Sequence, residues 1–383
     1  MSPEEALEPL DVSGRLGRLR HLFNTAGADD SPVDALLVTT PANIRWLSGF
    51  TGSAGLLLVT RERAILTTDG RYRTQSVEQL SAAGVGADIE VTIGGVKDQR
   101  DALLAMATQG TPLGLEADHV TWAAQRSWEE LFTTNPLAPT RGTVERLRLV
   151  KDAGEIARME RAAAIADEAL ASVLPLLAAV SAKKDSGLSE SRFAAALDNA
   201  MRQLGAEDSA FETIVASGEN SAKPHARPGA RLIEVGDPVV VDFGAVFDGY
   251  RSDMTRTFSV GGQPTGTLAK VFSVVEESQQ VGVDAVRSGI TAGSIDEACR
   301  QVIAASGWAK RFEHGTGHGV GLDIHEGPSV GPGSTAILVP GTVVTVEPGV
   351  YLPETGGVRI EDTLVVTENG SRSLTQFPKE VAV

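Results

Sequence analysis

The stretch PVVVDFGAVFDGYRSDMTRTFSV, residues 238–260, consists of two short runs rich in Val, Phe, Thr and Met that meet at Asp248-Gly249. β-Branched and aromatic residues on either side of an Asp-Gly pair predict a hairpin closed by a type I′ turn, in which both central residues take positive φ. The turn sets the register. If Phe247 faces Tyr250, Asp253 falls opposite Gly244, and Asp242 lies two residues from that glycine. Side chains alternate across a strand with period two, so both carboxylates come to one face at diagonal positions. Asp242 follows three consecutive valines, the pattern of a buried strand. A lone carboxylate there costs several kcal/mol of desolvation or takes up a proton, so a positive partner is required beside it.

A second hairpin lies downstream. Glu347 follows the strand TVVTV, and Glu361 sits within GVRIEDTLVV, an even separation of 14 residues across the longer turn PETGG. Between the hairpins, EHGTGHGVGLDIHEGP at 313–328 places three histidines and five glycines in sixteen residues. Four of the chain's 6 histidines, His225, His314, His318 and His325, fall in this C-terminal part. A core histidine is usually just hydrogen-bonded, but four acids embedded in apolar strands change that expectation. Four carboxylates and an imidazole suit two hard-to-borderline divalent cations, whose four positive charges the acids balance. A thiolate cluster is absent, which disfavours structural zinc, and a lone Mg²⁺ rarely takes so many protein ligands. Two ions about 3.5–4 Å apart bridge a hydroxide, polarise a carbonyl and stabilise the oxyanion that follows, which is hydrolysis without a side-chain nucleophile.

An internal echo surrounds these hairpins. Ser189, with Leu188 and Phe193 as a hydrophobic staple, predicts a helix start, and Ser294 with Glu297 predicts a capping box. Asp242 and Glu347 each lie 53 residues beyond their serine, and Asp253 and Glu361 follow on the return strands. Two related halves facing one another across a pseudo-twofold axis are expected.

The segments VVVDFGAVFDGYRSDMTRTF, HGTGHGVGLDIHEGP, VEPGVY and GGVRIED together resemble the signature set of the pita-bread metallopeptidases, the family of prolidase, aminopeptidase P and methionine aminopeptidase. The resemblance implies that Asp242, Asp253, His318, Glu347 and Glu361 are the ligands of a dinuclear site, with Asp253 and Glu361 bridging. Glu347 is then also the candidate general acid/base. ASGENSAKPHARP at 216–228 resembles the loop bearing a catalytic histidine, here His225, and His325 would contact the substrate carbonyl. His314 and Arg359 resemble pocket residues for the proline side or terminal carboxylate of a substrate; the structural alternative for Arg359 is an ion pair with Glu361 or Asp362. Creatinase shares the fold without a metal and lacks the full ligand set. The implied cofactors are two divalent ions, Mn²⁺ first, with Co²⁺ or Zn²⁺ as alternatives.

N-terminal to this region, a helix at 15–27 and apolar runs at 35–39, 55–60, 64–68 and 112–116 predict a smaller α/β domain ending in the polar stretch 134–142. NIRWLSGFTGSAGLLLVT and TDGRY resemble the N-terminal domain of prolidases and bacterial aminopeptidase P relatives, of ribonuclease H-like α/β type; Trp46 and Tyr72 in them are at least as suited to a core. The expected fold is therefore α/β, with a creatinase-like domain at 1–142 and a pita-bread catalytic domain at 143–383, opened by an alanine-rich helix from Lys151.

Composition bounds the alternatives. The 383 residues carry 34 Lys and Arg against 50 Asp and Glu, a net charge of −16, which disfavours nucleic acid and anionic membranes as partners. No apolar run approaches the roughly 18 residues of a bilayer span, and the N-terminus lacks signal-peptide character, so a cytoplasmic location is expected. The single cysteine, Cys299, shares a helical face with Ile295, Val302 and Ile303 and reads as a buried small hydrophobe. The leading functional expectation is a homodimeric Xaa-Pro aminopeptidase acting on short peptides with proline second. That choice follows the likeness of the short first domain to small bacterial members so named, and an Xaa-Pro dipeptidase is the alternative.

Overall fold

The computed structural model describes residues 7–23, 32–182 and 187–383. It divides into two compact units, Pro9–Arg148 and Leu149–Val383, the latter joined by residues up to Glu8.

The first unit is built on a mixed six-stranded sheet in the order Glu90–Ile93, Ala64–Thr68, Leu56–Thr60, Ala35–Val38, Leu113–Glu116, Leu137–Thr140. The three central strands at 35–68 run antiparallel, and the remaining pairs are parallel. Leu103 and Met106 of one helix, Trp128 of another and Phe132 just beyond its end cover one face. Trp46 is core, while Tyr72 is half-buried with its hydroxyl 2.7 Å from Ser53 Oγ. The helix expected at 15–27 is described as Arg15–Leu22, and positions 24–27 lie outside the described residues. Two edge strands, Glu90–Ile93 and Leu137–Thr140, were not expected from the sequence, although the first carries the β-branched run Val91-Thr92-Ile93. The second contains Pro139, which only an edge strand or bulge tolerates.

The second unit consists of two hairpins, each backed by two helices. Strand Pro238–Phe243 pairs with Met254–Ser259, Met254 against Phe243 and Thr255 against Asp242. Phe247 faces Tyr250 across the turn, where Asp248 has φ 44° and Gly249 φ 69°. The register expected from Asp-Gly thus runs the length of the hairpin. Val239, Val241, Phe243, Met254 and Phe258 point outward into a core with Phe193, Leu197 and Met201 of helix Glu190–Gln203 and Ile165 and Leu170 of helix Ala153–Ala182. The latter helix is long and apolar enough to cross a membrane by composition alone, but this core takes up its apolar stripe.

The second half repeats the plan. Val346 faces Asp362 and Gly349 faces Arg359, so Glu347 and Glu361 stand directly opposite one another. Val344, Val346, Val358, Ile360 and Leu364 pack outward on Val271, Phe272 and Val275 of helix Gly266–Ala285 and on Ile295, Cys299 and Ile303 of helix Ala292–Ala305. Cys299 is fully buried, and burial pushes its thiol up to about 12, as an inert core residue requires.

The expected capping box at Ser294 is not formed. The helix begins at Ala292, and Ser294 Oγ donates to Thr291 O. The first helical amides, Ala292 and Gly293, donate to Ala336 O and Ser334 O, so backbone carbonyls of a neighbouring segment cap this end. Ser189 does cap its helix, accepting from Arg192 N. The two halves therefore match in plan but not in the equal spacing of 53.

A Cβ at Gly244 would fall on the carbonyl oxygen of Ser252 on the returning chain. Gly244→Ala should accordingly lose about 1–3 kcal/mol of stability by overpacking. An unchanged denaturation midpoint would show that the hairpin does not pinch there.

Candidate metal centre

The alternation that sends valines outward sends the acids inward. Asp253, Thr255 and Thr257 on one hairpin face Arg359, Glu361 and Thr363 of the other, and the contact is stitched by hydrogen bonds. Glu361 N donates to Thr255 O at 3.1 Å, Thr257 Oγ1 to Arg359 O at 2.7 Å and Thr363 Oγ1 to Asp253 O at 2.7 Å. Asp253 and Glu361 are 4% and 2% exposed.

His318 enters on the short strand Gly317–Gly319. A Cβ at Gly317 would meet Thr345 O and one at Gly319 would meet Gly327 O, so only glycine lets this strand press between its neighbours. His318 N donates to Thr345 Oγ1 at 3.1 Å, and its Nδ1 lies 2.9 Å from Gly319 O. The Nδ1–H tautomer assigned from that contact leaves the Nε2 lone pair facing the acids. Nε2 is 3.5 Å from Asp253 Oδ2 and 3.6 Å from Glu347 Oε1. One donor atom each from Asp253, His318 and Glu361 lie within 4.8 Å of one another.

Asp242 stands on the same inner face, 2.6 Å from Arg359 Nη2 through Oδ2. Its other oxygen, Oδ1, is buried with no hydrogen-bond partner. Arg359 is 3% exposed, and its remaining donors reach Tyr351 OH at 2.9 Å, Thr255 Oγ1 at 3.1 Å and Pro224 O at 3.2 Å. Its ion pair is with Asp242, not with Glu361 or Asp362; Asp362 takes Arg256 and Lys379 instead. Tyr351 OH in turn lies 2.8 Å from His314 Nε2. His325 packs edge-on to His318 with ring centres 4.4 Å apart. All nine side chains singled out in the sequence, His225 among them, line one cavity of about 580 Å³.

Three partners in this network escaped sequence reading: Thr255, whose Oγ1 donates to Glu361 Oε2 at 2.7 Å, Thr345 and Tyr351. A signal existed for the threonines. Each lies two residues from an acid, Thr255 from Asp253 and Thr345 from Glu347, so strand alternation places them on the acids' face.

Burial and mutual repulsion set the protonation of the site. Burial first, then Glu361, Asp242 and Glu347, raises Asp253 well above the usual carboxylate range. Burial followed by Glu347 and Asp242 does the same to Glu361, and burial lifts Glu347 to about 8. His318, also buried, falls to about 4. Acids raised by burial and mutual repulsion beside an imidazole that turns its Nε2 toward them form a donor set suited to a cation. The orphaned Asp242 Oδ1 points the same way, and the oxygen-rich donors fit divalent ions.

Residues 157–368 match the family model of Metallopeptidase family M24, and residues 15–150 match the Creatinase/Prolidase N-terminal domain. The chain belongs to metallopeptidase family M24. An uncharacterized peptidase of Bacillus subtilis is 42% identical over 369 residues, covering 96% of this chain and 99% of its own. Among solved structures, the Xaa-Pro dipeptidase from Bacillus anthracis superposes with TM-score 0.88 at 37% identity, covering 97% of this chain and 100% of its own. The X-Pro aminopeptidase from Thermotoga maritima gives 0.81 at 33% identity, with coverage of 92% and 98%. With its pita-bread unit and its Asp, His and Glu cluster, this M24 chain is a metal-dependent exopeptidase.

The protonation pattern yields a signed expectation for the metal-free M24 protein. Glu347, Asp253 and Glu361 bind protons more tightly folded than unfolded, so each loses stability as pH rises from about 4.5 toward its folded value. His318 and His314, both lowered to about 4, act in the opposite sense, but only up to about 6.5. Between pH 6.5 and 8 the carboxylates dominate, and the Tm of metal-free protein should fall across that window. Saturating Mn²⁺ should raise Tm and remove the decline. A flat metal-free profile would contradict the assignment.

Proposed function

We propose that this chain is an Xaa-Pro dipeptidase whose Asp242, Asp253, His318, Glu347 and Glu361 hold two divalent ions, Mn²⁺ foremost. The observation that carries the reading is the buried meeting of Asp253, His318 and Glu361 donors at the floor of one cavity. A carboxylate-dominated set favours a hard-to-borderline ion such as Mn²⁺. The sequence-based leaning toward aminopeptidase is reversed here. The dipeptidase from Bacillus anthracis is the more similar of the two solved structures in both sequence and fold.

Divalent ions bound there supply Lewis-acid polarisation of the scissile carbonyl and a water acidic enough to attack it near neutral pH. The protein's own groups do the rest. Glu347 takes the proton of the attacking water and returns it to the departing proline nitrogen. His225 and His325 donate hydrogen bonds to the carbonyl oxygen as negative charge develops on it. His314, held by Tyr351, walls the proline side.

A dipeptidase also needs a cation for the substrate's C-terminal carboxylate. Arg359 has committed its guanidinium to Asp242, Tyr351, Thr255 and Pro224. Arg227 also lines the cavity, and its pairing with Glu212 at 3.3 Å is between side chains 82% and 63% exposed. Such a surface pair contributes little and yields readily to a substrate carboxylate. Arg227 takes that role.

Hydrolysis of an Xaa-Pro dipeptide should outpace that of the matching tripeptide in one Mn²⁺-reconstituted preparation, and Arg227→Gln should raise KM for the dipeptide with little change in kcat. A preference for the tripeptide restores the aminopeptidase reading. Glu347→Gln should cut kcat by about 10²–10⁴-fold while the protein still folds. Retained turnover would remove Glu347 from its role.

A further inference from the structure

Behind the cavity, on helix Ala292–Ala305, Asp296 and Arg300 form an ion pair one turn apart, with Arg300 Nε 2.7 Å from Asp296 Oδ2. Neither side chain lines the cavity. Asp296 is 1% exposed, and its Oδ1 accepts from both Thr316 N at 3.1 Å and Thr316 Oγ1 at 2.9 Å. Thr316 O then accepts from Glu347 N at 2.7 Å. Arg300 reaches the other end of the same segment. Its Nη1 donates to Phe312 O at 3.0 Å and its Nη2 to His314 O, while its guanidinium lies 4.2 Å over the Phe312 ring. Phe312 meets His314 edge-on at 5.0 Å.

The segment so held is His314-Gly-Thr-Gly-His318-Gly, with three glycines in six residues. Glycine gives a chain its greatest conformational freedom, so this backbone has little stiffness of its own. The two histidines it carries must nevertheless hold their places, because the cavity geometry depends on both. We propose that Asp296 and Arg300 are positioning residues with separable duties: Asp296 fixes Thr316 and thereby the His318 and Glu347 side of the cavity, and Arg300 fixes His314 on the substrate side. The kinetic part of this inference rests on the peptidase reading; its metal-binding part does not.

The test uses the full chain and two variants, Asp296→Asn and Arg300→Lys, with Thr316→Val as an independent probe of the Asp296 arm. Mn²⁺ affinity is measured by chelator competition, and kcat and KM on an Xaa-Pro dipeptide. Removing an outer partner of a metal ligand typically costs 10–100-fold in affinity or activity. Asp296→Asn should weaken Mn²⁺ binding about 10-fold and lower kcat, and Thr316→Val should move both in the same direction. Arg300→Lys keeps a cation for Asp296 but loses the planar fork, and should raise KM about 10-fold with Mn²⁺ affinity within about twofold of the parent. The inference is overturned if none of the three changes these constants, or if in every variant affinity and kcat fall and KM rises together in step with a lowered Tm. A parent protein without Xaa-Pro turnover would sink the peptidase reading, and the Mn²⁺ affinities of the variants would still decide the positioning role.

Discussion

Carboxylates brought together out of water are the condition to which the rest of this structure answers. Each hairpin turns an apolar face to its own pair of helices and leaves its other face to meet the opposing hairpin. Apolar side chains on both faces would have closed that contact as an ordinary core. Instead Asp242, Asp253, Glu347 and Glu361 occupy it, and one buried guanidinium, that of Arg359, answers only Asp242 directly. Desolvation and mutual repulsion then hold the other three acids above their usual range. The arrangement is unfavourable by itself, and cations entering it would offset the repulsion and link metal loading to folding.

The inner face is also where the two halves are joined. Threonines at every second position carry that junction, with Thr255, Thr257 and Thr363 bonding to side chains or carbonyls of the opposing hairpin. A hydroxyl is small enough for close strand approach and can both donate and accept, as Thr257 does with Arg359. The same residues therefore fasten the pseudo-symmetric halves together and aim the acids. Arg256 supports this from behind, donating to Glu361 O at 2.5 Å and Asp362 Oδ1 at 2.8 Å.

How much of this was legible in the sequence depended on how local the governing physics is. Asp248-Gly249 fixed one hairpin's register because turn chemistry acts within four residues, and alternation then assigned the acids' face. The glycine-flanked histidine stood out because crowding at Gly317 and Gly319 permits no other residue. Less was legible where a distant segment decides. Carbonyls of 334 and 336 cap the helix at Ala292 and made Ser294 redundant, and Arg359 pairs with an acid 117 residues away instead of its neighbours. The edge strand at 137–140, Leu-Ala-Pro-Thr, exists because a sheet is there to receive it, which overrides weak local preference, whereas the β-branched run at 91–93 was a signal passed over. Asp296 and Arg300 went unnoticed because an acid and a base one turn apart on a helix ordinarily mark a solvated face.

Anomalous diffraction from crystals of the full chain grown with Mn²⁺, collected at the manganese edge, tests the central claim most directly. The account predicts two peaks between the hairpins, within bonding distance of Asp253, His318 and Glu361 and reaching Asp242 and Glu347 on either side. Crystals with those five side chains in place and no anomalous density among them would contradict it.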